Sequence, residues 1–276
     1  MEIIESRFLG FCNGVNYAYN LANKILNEKN EVYLLKELVH NKDVNSELRE
    51  KGLEIVDEIS RIPDDVTLIT PAHGISLEEE DLAKKKRLKI IKATCPLVTK
   101  SLILGKKILK DGKDLIIIGE KNHQEIKYLY SYLKGSKTYL IDIDDEIPKI
   151  KGKVGVIIQT TQSYEFYEEM KKKIKSINND VEFFDTLCNE SLLRQKEVYE
   201  IAKKVDLLLV IGGKNSSNTK RLYEIGVKLI KTYQIENENE IKKDWFNGVK
   251  VVGIISGTST PIKTIQNIKK KCLELQ

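Results

Sequence analysis

Short apolar runs that are rich in β-branched residues recur along the chain and predict β-strands. They lie at residues 31–35, 66–70, 88–91, 114–119, 138–143, 154–159, 181–184, 206–212 and 249–256. Amphipathic patterns separate many of these runs, and Val15, Ala18 and Ala22 illustrate the helical spacing of their apolar residues. Strands that alternate with helices indicate an α/β fold. Because the strands are almost continuously apolar, we expect largely parallel sheets that are covered on both faces.

Three of the four cysteines occupy the same position in this alternation. Cys12, Cys95 and Cys188 each follow a short strand-like segment and precede a helical pattern, and the next predicted strand begins 19, 19 and 18 residues later. Two polar positions recur in the loops of each segment, and the two sets are His40, His123 and Ser216, and His73, Thr160 and Ser259. We therefore predict three α/β lobes with approximate threefold symmetry, at 1–95, 96–187 and 188–261, with residues 262–276 packing near the first.

This repeat explains how three thiols that are remote in sequence can contribute to one site. Loops at the carboxyl ends of parallel strands gather in one crevice, so cysteines that are remote in sequence can meet there. Each precedes a helix whose positive end favours a thiolate, and before the second helix Thr94 is the predicted N-cap and Pro96 the predicted first residue. Two metal sites fit this pattern. One is a zinc site that adds a histidine ligand, and the other is an iron–sulfur cluster with one open iron. Cys272 lies outside the repeat and is predicted to be an ordinary helical cysteine.

The polar loops indicate a ligand with phosphate groups. The stretches 159–163 (QTTQS), 212–221 (GGKNSSNTKR) and 256–261 (SGTSTP) follow predicted strands and offer hydroxyl, amide and backbone N–H donors. The three histidines of the chain also follow strands, and Glu125, two residues after His123, is a candidate proton donor. Neither a Walker A motif nor a G-x-G-x-x-G motif is present, so the sequence does not support nucleotide binding.

Composition excludes several classes of protein. The chain has 276 residues, a formal net charge of +5, 32% charged residues and 41% hydrophobic residues, as is typical of globular proteins. Its basic runs lack interleaved aromatic residues, so we expect no nucleic-acid partner. We also expect no membrane partner, because no apolar run reaches the length of about 18 residues that spans a bilayer. The amino terminus lacks the apolar region of a signal peptide, and we predict a cytoplasmic protein with reduced thiols.

Several motifs, taken together in their order, resemble one enzyme family. They are GFCNGV (10–15), LVHN (38–41), AHG (72–74), ATCPLVTK (93–100), HQE (123–125), QTT (159–161), DTLC (185–188), RQ (194–195), KNSSN (214–218) and GTSTP (257–261). The combination of ATCPLVTK with KNSSN is especially specific. From about residue 7 to residue 270 the chain closely resembles the 4-hydroxy-3-methylbut-2-enyl diphosphate reductases.

The resemblance implies a fold, a cofactor and a set of site residues. It implies three α/β lobes around a 4Fe–4S cluster that Cys12, Cys95 and Cys188 hold, with one iron open to the substrate. It implies that an allylic diphosphate is bound by His40, His73, His123, Thr160, Ser216, Ser217, Asn218 and Ser259. Glu125 would deliver protons to the leaving hydroxyl group, and an external donor such as ferredoxin or flavodoxin would supply the electrons. The products would be isopentenyl and dimethylallyl diphosphate.

One stretch departs from the family pattern, and two other functions remain as alternatives. The family has H-x-G-H-P-E before the catalytic glutamate, where this chain has EKNHQE at 120–125, and this change bears on how Glu125 is aimed. The first alternative is a three-cysteine 4Fe–4S dehydratase similar to quinolinate synthase. The second is a non-catalytic module that binds an iron–sulfur cluster or zinc.

Overall fold

The computed structural model describes residues 1–142 and 144–275. Within these residues the chain forms three four-stranded sheets whose neighbouring strands are all parallel. The fold divides into two compact units, of which the first comprises Met1–Asn16, Val39–Ser46 and Asn189–Gln276, and the second Tyr17–Leu38 and Glu47–Cys188. The predicted α/β class, with three parallel-sheet lobes, is confirmed.

The order of the strands across each sheet differs from their order along the chain. Across sheet A, in the first unit, lie β1 (Glu2–Glu5), β12 (Val251–Ser256), β10 (Leu207–Ile211) and β11 (Thr232–Ile235). Across sheet B, in the second unit, lie β3 (Leu53–Val56), β2 (Val32–Leu35), β4 (Thr67–Ile69) and β5 (Lys89–Ile91). Across sheet C, also in the second unit, lie β7 (Thr138–Ile141), β6 (Asp114–Ile118), β8 (Lys153–Ile158) and β9 (Asp180–Phe183).

The α-helices of the described residues lie between or after these strands. They are α1 (Asn13–Glu28), α2 (Lys42–Glu50), α3 (Leu77–Lys85), α4 (Pro96–Lys110), α5 (Gln124–Leu133), α6 (Tyr164–Ile177), α7 (Asn189–Ala202), α8 (Ser217–Gly226) and α9 (Ile262–Glu274). Short 3-10 turns lie at Ile59–Arg61, Glu238–Glu240 and Lys243–Phe246. Capping side chains explain where some helices begin. At α3, Ser76 and Glu79 bond each other's backbone N–H in a capping box, which satisfies donors that the first turn leaves open. No helix of the described residues has both the length and the apolar character needed to cross a bilayer.

The three sheets share one strand order. In chain order, β2, β3, β4 and β5 of sheet B correspond to β6, β7, β8 and β9 of sheet C. In sheet A, β10, β11 and β12 fill the first three positions, and β1 from the other end of the chain fills the fourth. The repeat that the cysteine spacing predicts is therefore present, and the first strand of the chain completes its third copy.

The apolar strands are buried between helices, as predicted. In sheet A, Leu207 and Leu209 face a cluster that includes Ile265 and Ile268 of α9, whereas the alternate residue Leu208 faces a second cluster with helices α7 and α8. Sheet C is covered in the same way, by α4 and α5 on one face and by α6 on the other. Successive side chains of a strand point to opposite faces, so a continuous apolar run supplies both cores.

The structure differs from the sequence prediction in several elements. Strands β1, β3 and β11 are absent from the predicted set, and Ile143, at the end of a predicted strand, lies outside the described residues. Strand β1 pairs with β12, so it joins the segment 188–261 rather than the segment 1–95. Its four residues match a strand pattern poorly, and its partner lies about as far away along the sequence as the chain allows. The apolar face of α9 packs on sheet A, while Thr264 donates a hydrogen bond to Asp43 of α2. The lobe boundaries stay a prediction.

Candidate active site

The three predicted cysteine ligands have the same backbone environment. Each lies directly before a helix, and each backbone N–H donates to a carbonyl in the loop that follows the neighbouring strand of its sheet. These bonds are Cys12 N–H to Thr258 O (3.0 Å), Cys95 N–H to Ala72 O (2.8 Å) and Cys188 N–H to Thr160 O (2.8 Å). The structure thus confirms that these residues are equivalent within the repeat. Cys12 lies in the first unit, and Cys95 and Cys188 lie in the second.

These hydrogen bonds also adjust the predicted equivalence of the polar loop residues. His73 and Ser259 each come one residue after the carbonyl that accepts from a cysteine, whereas Thr160 itself supplies the acceptor. The residue that corresponds to His73 in sheet C is therefore Thr161. The predicted cap of α4 also shifts by one residue. Cys95, not Thr94, is the N-cap, because Pro96 is the first helical residue.

The cysteine sulfurs lie where negative charge is favoured. The N–H of Val15, in the first turn of α1, points to Sγ of Cys12 at 3.4 Å. Free N–H groups at the start of a helix carry partial positive charge, which stabilises a thiolate. Cys272 differs, because it is fully buried in the apolar core of sheet A and this burial raises the pKa of its thiol to about 11. None of the four cysteines forms a disulfide bond with a described residue, and the prediction that Cys272 is an ordinary helical residue is confirmed.

Glu125 is the most distinctive ionisable group of the second unit. It is 2% exposed, and Thr160 donates its backbone N–H to Oε1 and its hydroxyl to Oε2, both at 2.7 Å. Burial raises the pKa of Glu125 to about 7, because the loss of hydration outweighs the two hydrogen bonds, which lower it. A carboxyl group with this pKa holds a proton in a useful fraction of molecules near neutral pH.

His123 lies at the start of α5, the helix that contains Glu125. It is the N-cap of α5, and its Nδ1 accepts the backbone N–H of Glu125 at 3.2 Å. An imidazole that accepts through Nδ1 carries its proton on Nε2 when it is neutral, so His123 presents a donor beyond the helix end. The departure EKNHQE replaces the proline of the family with Gln124 as the first residue of α5, yet this helix start remains capped and Glu125 remains buried.

His73 lies in the loop after β4 and is buried. Gly74, with φ of +85°, lets this loop pack against α5, since a Cβ atom there would stand 2.6 Å from the ring of Tyr128. Helix α3 follows the loop and is also tied to α5, where the N–H of Leu77 donates to the hydroxyl of Ser131 at 3.0 Å. The second unit therefore combines two of the cysteines with His73, His123, Glu125 and Thr160.

The first unit collects most of the predicted phosphate donors. Ser216 is the N-cap of α8, and Ser217 and Asn218 occupy its first turn, where all three are buried. The Nδ2 atom of Asn218 and the hydroxyl of Ser259 are buried and form no hydrogen bond with any described residue. Buried donors are normally satisfied, so these two atoms indicate a ligand that is rich in acceptors.

Two glycines bring the loops of the first unit together. A Cβ atom on Gly257 would stand 2.1 Å from Oγ1 of Thr219, so the loop after β12 lies directly against α8. A Cβ atom on Gly213 would stand 2.3 Å from the carbonyl oxygen of His40. His40 thus approaches the Ser216 loop through its backbone. It lies one residue before Asn41, whose Oδ1 caps α2 by accepting from the N–H of Val44 at 3.1 Å.

Arg194 is a buried residue near Cys12 whose interactions the sequence did not reveal. It is 2% exposed, and its Nη1 donates to the carbonyl groups of Phe8 (2.7 Å) and Ser256 (2.9 Å), while Nη2 donates to that of Gly10 (2.9 Å). The guanidinium group therefore fastens the segment before Cys12 to the end of β12. Its motif RQ belongs to the family pattern, but an arginine in an amphipathic pattern gives no sign that it points inward.

The donor set fits a metal centre that is held mainly by thiolates. Within neither unit do three or more histidine, cysteine, aspartate or glutamate side chains of the described residues form a group that could hold a metal ion. The fit rests instead on the three cysteines outside disulfides that lie at helix starts, each with its backbone fixed to a polar loop.

Comparison with known proteins gives consistent results over the whole chain. The sequence profile of the family described as LytB protein matches residues 3–273. A protein from Campylobacter hominis that is named 4-hydroxy-3-methylbut-2-enyl diphosphate reductase is 37% identical over 274 residues, which is 98% of this chain and 98% of that protein. A protein of the same name from Dictyoglomus turgidum is 40% identical over 270 residues, which is 97% of this chain and 95% of that protein.

Solved structures agree with the sequence comparisons. The E-1-hydroxy-2-methyl-but-2-enyl-4-diphosphate reductase from Plasmodium falciparum matches with a TM-score of 0.90 and 28% identity, covering 98% of this chain and 87% of that one. The structure of an (E)-4-hydroxy-3-methyl-but-2-enyl diphosphate reductase, described as the terminal enzyme of the non-mevalonate pathway, matches with a TM-score of 0.72 and 36% identity, covering 99% of both chains. On these matches, and on the motifs and fold that they share, the chain belongs to the LytB protein family.

Proposed function

We propose that the protein reduces 4-hydroxy-3-methylbut-2-enyl diphosphate to isopentenyl and dimethylallyl diphosphate. The overall change consumes two electrons and two protons and releases the allylic hydroxyl group as water. The observation that carries this proposal is Glu125, a buried carboxyl group with a pKa of about 7 that Thr160 fixes in the same unit as two of the cysteines. The named relatives, which align over 98% and 95% of their lengths, support the same reaction. These relatives favour the reduction over the alternatives of a dehydratase similar to quinolinate synthase and a non-catalytic module.

Cys12, Cys95 and Cys188 would hold the iron–sulfur cluster. They form no disulfide bond with a described residue and they lie at helix starts, and three thiolates leave one iron of a 4Fe–4S cluster without a protein ligand. When bound, such a cluster supplies a Lewis acid for the substrate hydroxyl group and a store for electrons.

The diphosphate group would be bound by neutral donors. Ser216, Ser217 and Asn218 lie at the positive end of α8, and Ser259 and Asn218 each offer a buried donor atom that is free of described partners. His40, His73, His123 and Thr160 complete the proposed substrate set. Neutral donors suit a ligand that must leave after each turnover, because they hold a phosphate less tightly than arginine pairs do.

Glu125 would deliver the proton that converts the hydroxyl group into water. A general acid must be protonated at the working pH and must be fixed within reach of the leaving oxygen. Burial supports the first requirement by raising the pKa, and the two hydrogen bonds from Thr160 support the second by holding the carboxyl group in one position. His123 would act beside it as a hydrogen-bond donor to the substrate.

Anaerobic purification followed by turnover with reduced methyl viologen tests the proposed function. We expect about four irons per chain with acid-labile sulfide, and conversion of the hydroxylated diphosphate to both products. Cys12→Ala, Cys95→Ala and Cys188→Ala should each prevent or severely impair cluster assembly, whereas the matched variant Cys272→Ala should retain the cluster. Zinc without sulfide, or no product from the diphosphate with the cluster intact, would overturn the proposal.

A further inference from the structure

Helix α4 presents an exposed face that has no assigned role. Its fifteen residues include four lysines and no acidic residue, and they follow directly after Cys95. The side chains of Lys100, Ile103, Lys107 and Lys110 are exposed and recur at intervals of three and four residues, so they share one side of the helix. Ile103 is 61% exposed, which is the largest value among the exposed large apolar residues that the structure describes.

The lysines of this face are not neutralised. Lys100, Lys107 and Lys110 form no ion pair with any described residue, whereas Lys106 lies over the ring of Tyr132 at 5.3 Å. Other lysine-rich helices contain acidic residues that pair with some of their lysines. In α6, Lys173 pairs with Glu169 at 2.6 Å, and similar pairs occur in α9. The α4 face therefore carries an uncompensated positive charge around an apolar centre.

The opposite side of α4 fixes this face rigidly. Val98, Leu102 and Ile108 belong to a core cluster of sheet C. Gly105 allows α4 to approach α5 closely, because a Cβ atom there would stand 2.5 Å from Cδ1 of Leu133. A face that is held in this way needs little ordering when a partner binds, which lowers the entropic penalty of association.

We propose that this face, defined by Leu97, Lys100, Ile103, Lys107 and Lys110, is the docking surface for a small acidic protein that carries single electrons. The inference rests on the proposed function, in which each turnover takes up two electrons from outside the protein. Two reduced carriers would each give one electron and leave oxidised, while the substrate takes up both electrons and two protons. An apolar centre with a charged rim is the usual composition of a protein interface, and lysines attract a carrier that is rich in carboxylates.

The position of the face along the chain supports an electron carrier over other acidic partners. Leu97 lies two residues beyond Cys95 and Ile103 lies eight beyond it, which places them about 3 Å and about 12 Å along the helix axis at 1.5 Å per residue. A carrier that docks here approaches a proposed cluster ligand, and electron transfer is faster over short paths. Nucleic acid is less suited to the face, because α4 carries no aromatic side chain that could stack on bases.

Kinetics with two kinds of electron donor test this inference. The probe is an acidic ferredoxin that NADPH and ferredoxin–NADP reductase keep reduced, and the comparison is reduced methyl viologen. We expect Lys100→Glu combined with Lys107→Glu to raise the KM for ferredoxin roughly tenfold and to weaken its dependence on ionic strength. Turnover with methyl viologen should be unchanged. Ile103→Ser, at an exposed position, should raise the KM for ferredoxin without disturbing the fold. The dependence of this KM on ionic strength should stay as in the wild type.

A matched variant separates specific docking from a general loss of charge. Lys172 and Lys203 are also exposed and form no ion pair with a described residue, so Lys172→Glu combined with Lys203→Glu changes the net charge equally. The docking proposal is overturned if this variant raises the KM for ferredoxin as much as the α4 variant does. It is also overturned if neither variant changes that KM. A third result would also overturn the proposal. The wild-type protein would bind anionic vesicles, and the α4 variant would lose this binding but keep unaltered kinetics with ferredoxin. Failure of the proposed function would appear differently, as absent turnover with methyl viologen.

Discussion

Thr160 holds both oxygens of the Glu125 carboxyl group, with its backbone N–H on Oε1 and its hydroxyl on Oε2, each at 2.7 Å. The carbonyl of the same threonine accepts the N–H of Cys188 at 2.8 Å. One residue therefore links the proposed proton donor to a proposed cluster ligand. The family resemblance implies that Thr160 binds the substrate. The structure shows in addition that the hydroxyl and the backbone N–H of Thr160 position Glu125.

Replacing Glu125 by glutamine removes the proton but keeps the size of the side chain. If Glu125 is the general acid, we expect turnover to fall by a factor on the order of 10²–10⁴, while iron content and substrate affinity change little. Single-turnover and steady-state rates with reduced methyl viologen measure the effect. Glu146→Gln, at an exposed position, is the control and should behave like the wild type. Near-normal turnover of Glu125→Gln would show that another group supplies the proton.

The buried carboxyl group of Glu125 also makes stability depend on pH. Its pKa rises from 4.5 to about 7 on folding, so the folded state binds more protons than the unfolded state between these values. The resulting stability is greatest at or below pH 4.5 and is lost as the pH rises toward 7. Relative to Glu125→Gln, which does not titrate, the wild type should thus lose stability across this window. Urea unfolding at several pH values measures the difference, and parallel curves for the two proteins would contradict the assignment.

Thr160→Val removes one hydrogen bond from Glu125 and keeps the shape of the side chain. Because the hydroxyl of Thr160 lowers the pKa of Glu125, its loss should raise that pKa further. The alkaline limb of the profile of kcat/KM against pH should accordingly move to higher pH. Thr161→Val is the matched control, since the hydroxyl of Thr161 accepts from Gln159 rather than bonding Glu125. An equal displacement in both variants would mean that Thr160 does not set the pKa.

The strands that the sequence did not predict show what local patterns lack. Strands β1, β3 and β11 each have four residues and each lie at the edge of a sheet. Edge strands bury only part of their surface, so polar residues such as Glu54 and Gln234 interrupt their apolar pattern. The central strand β10 is buried throughout, and all of the central strands among the described residues were predicted.

The site could be predicted as a set of residues but not as a set of interactions. The cysteine spacing and the motifs gave the proposed ligands, the polar loops and Glu125. The raised pKa of Glu125 depends on burial and on Thr160, which lies 35 residues away in the sequence. The three carbonyl groups that Arg194 bonds likewise come from the two ends of the chain, so no local pattern indicates them.

Asn218→Ala tests the proposed diphosphate site. The Nδ2 atom of Asn218 is a buried donor without a described partner, so its removal should weaken the binding of an anionic oxygen. We expect KM for the diphosphate substrate to rise roughly tenfold or more, whereas activity on the corresponding alcohol stays equally poor in both proteins. Asn215→Ala, in the same loop but exposed, is the control. Equal losses for both compounds would place Asn218 elsewhere in the mechanism.

Arg194→Lys tests whether the buried guanidinium group holds the Cys12 segment. A lysine keeps the charge but cannot reach the carbonyl groups of Phe8, Gly10 and Ser256 together, because its ammonium group lacks the planar fork of arginine. Each carbonyl left without a donor costs about 1–3 kcal/mol, so the urea midpoint should fall clearly. After anaerobic reconstitution, the variant should also retain less iron than the wild type under conditions where both are folded. Arg221→Lys is the control, since Arg221 donates to the neighbouring Glu224 on α8. If Arg194→Lys loses stability but binds iron normally, the residue supports the fold of the first unit without positioning Cys12.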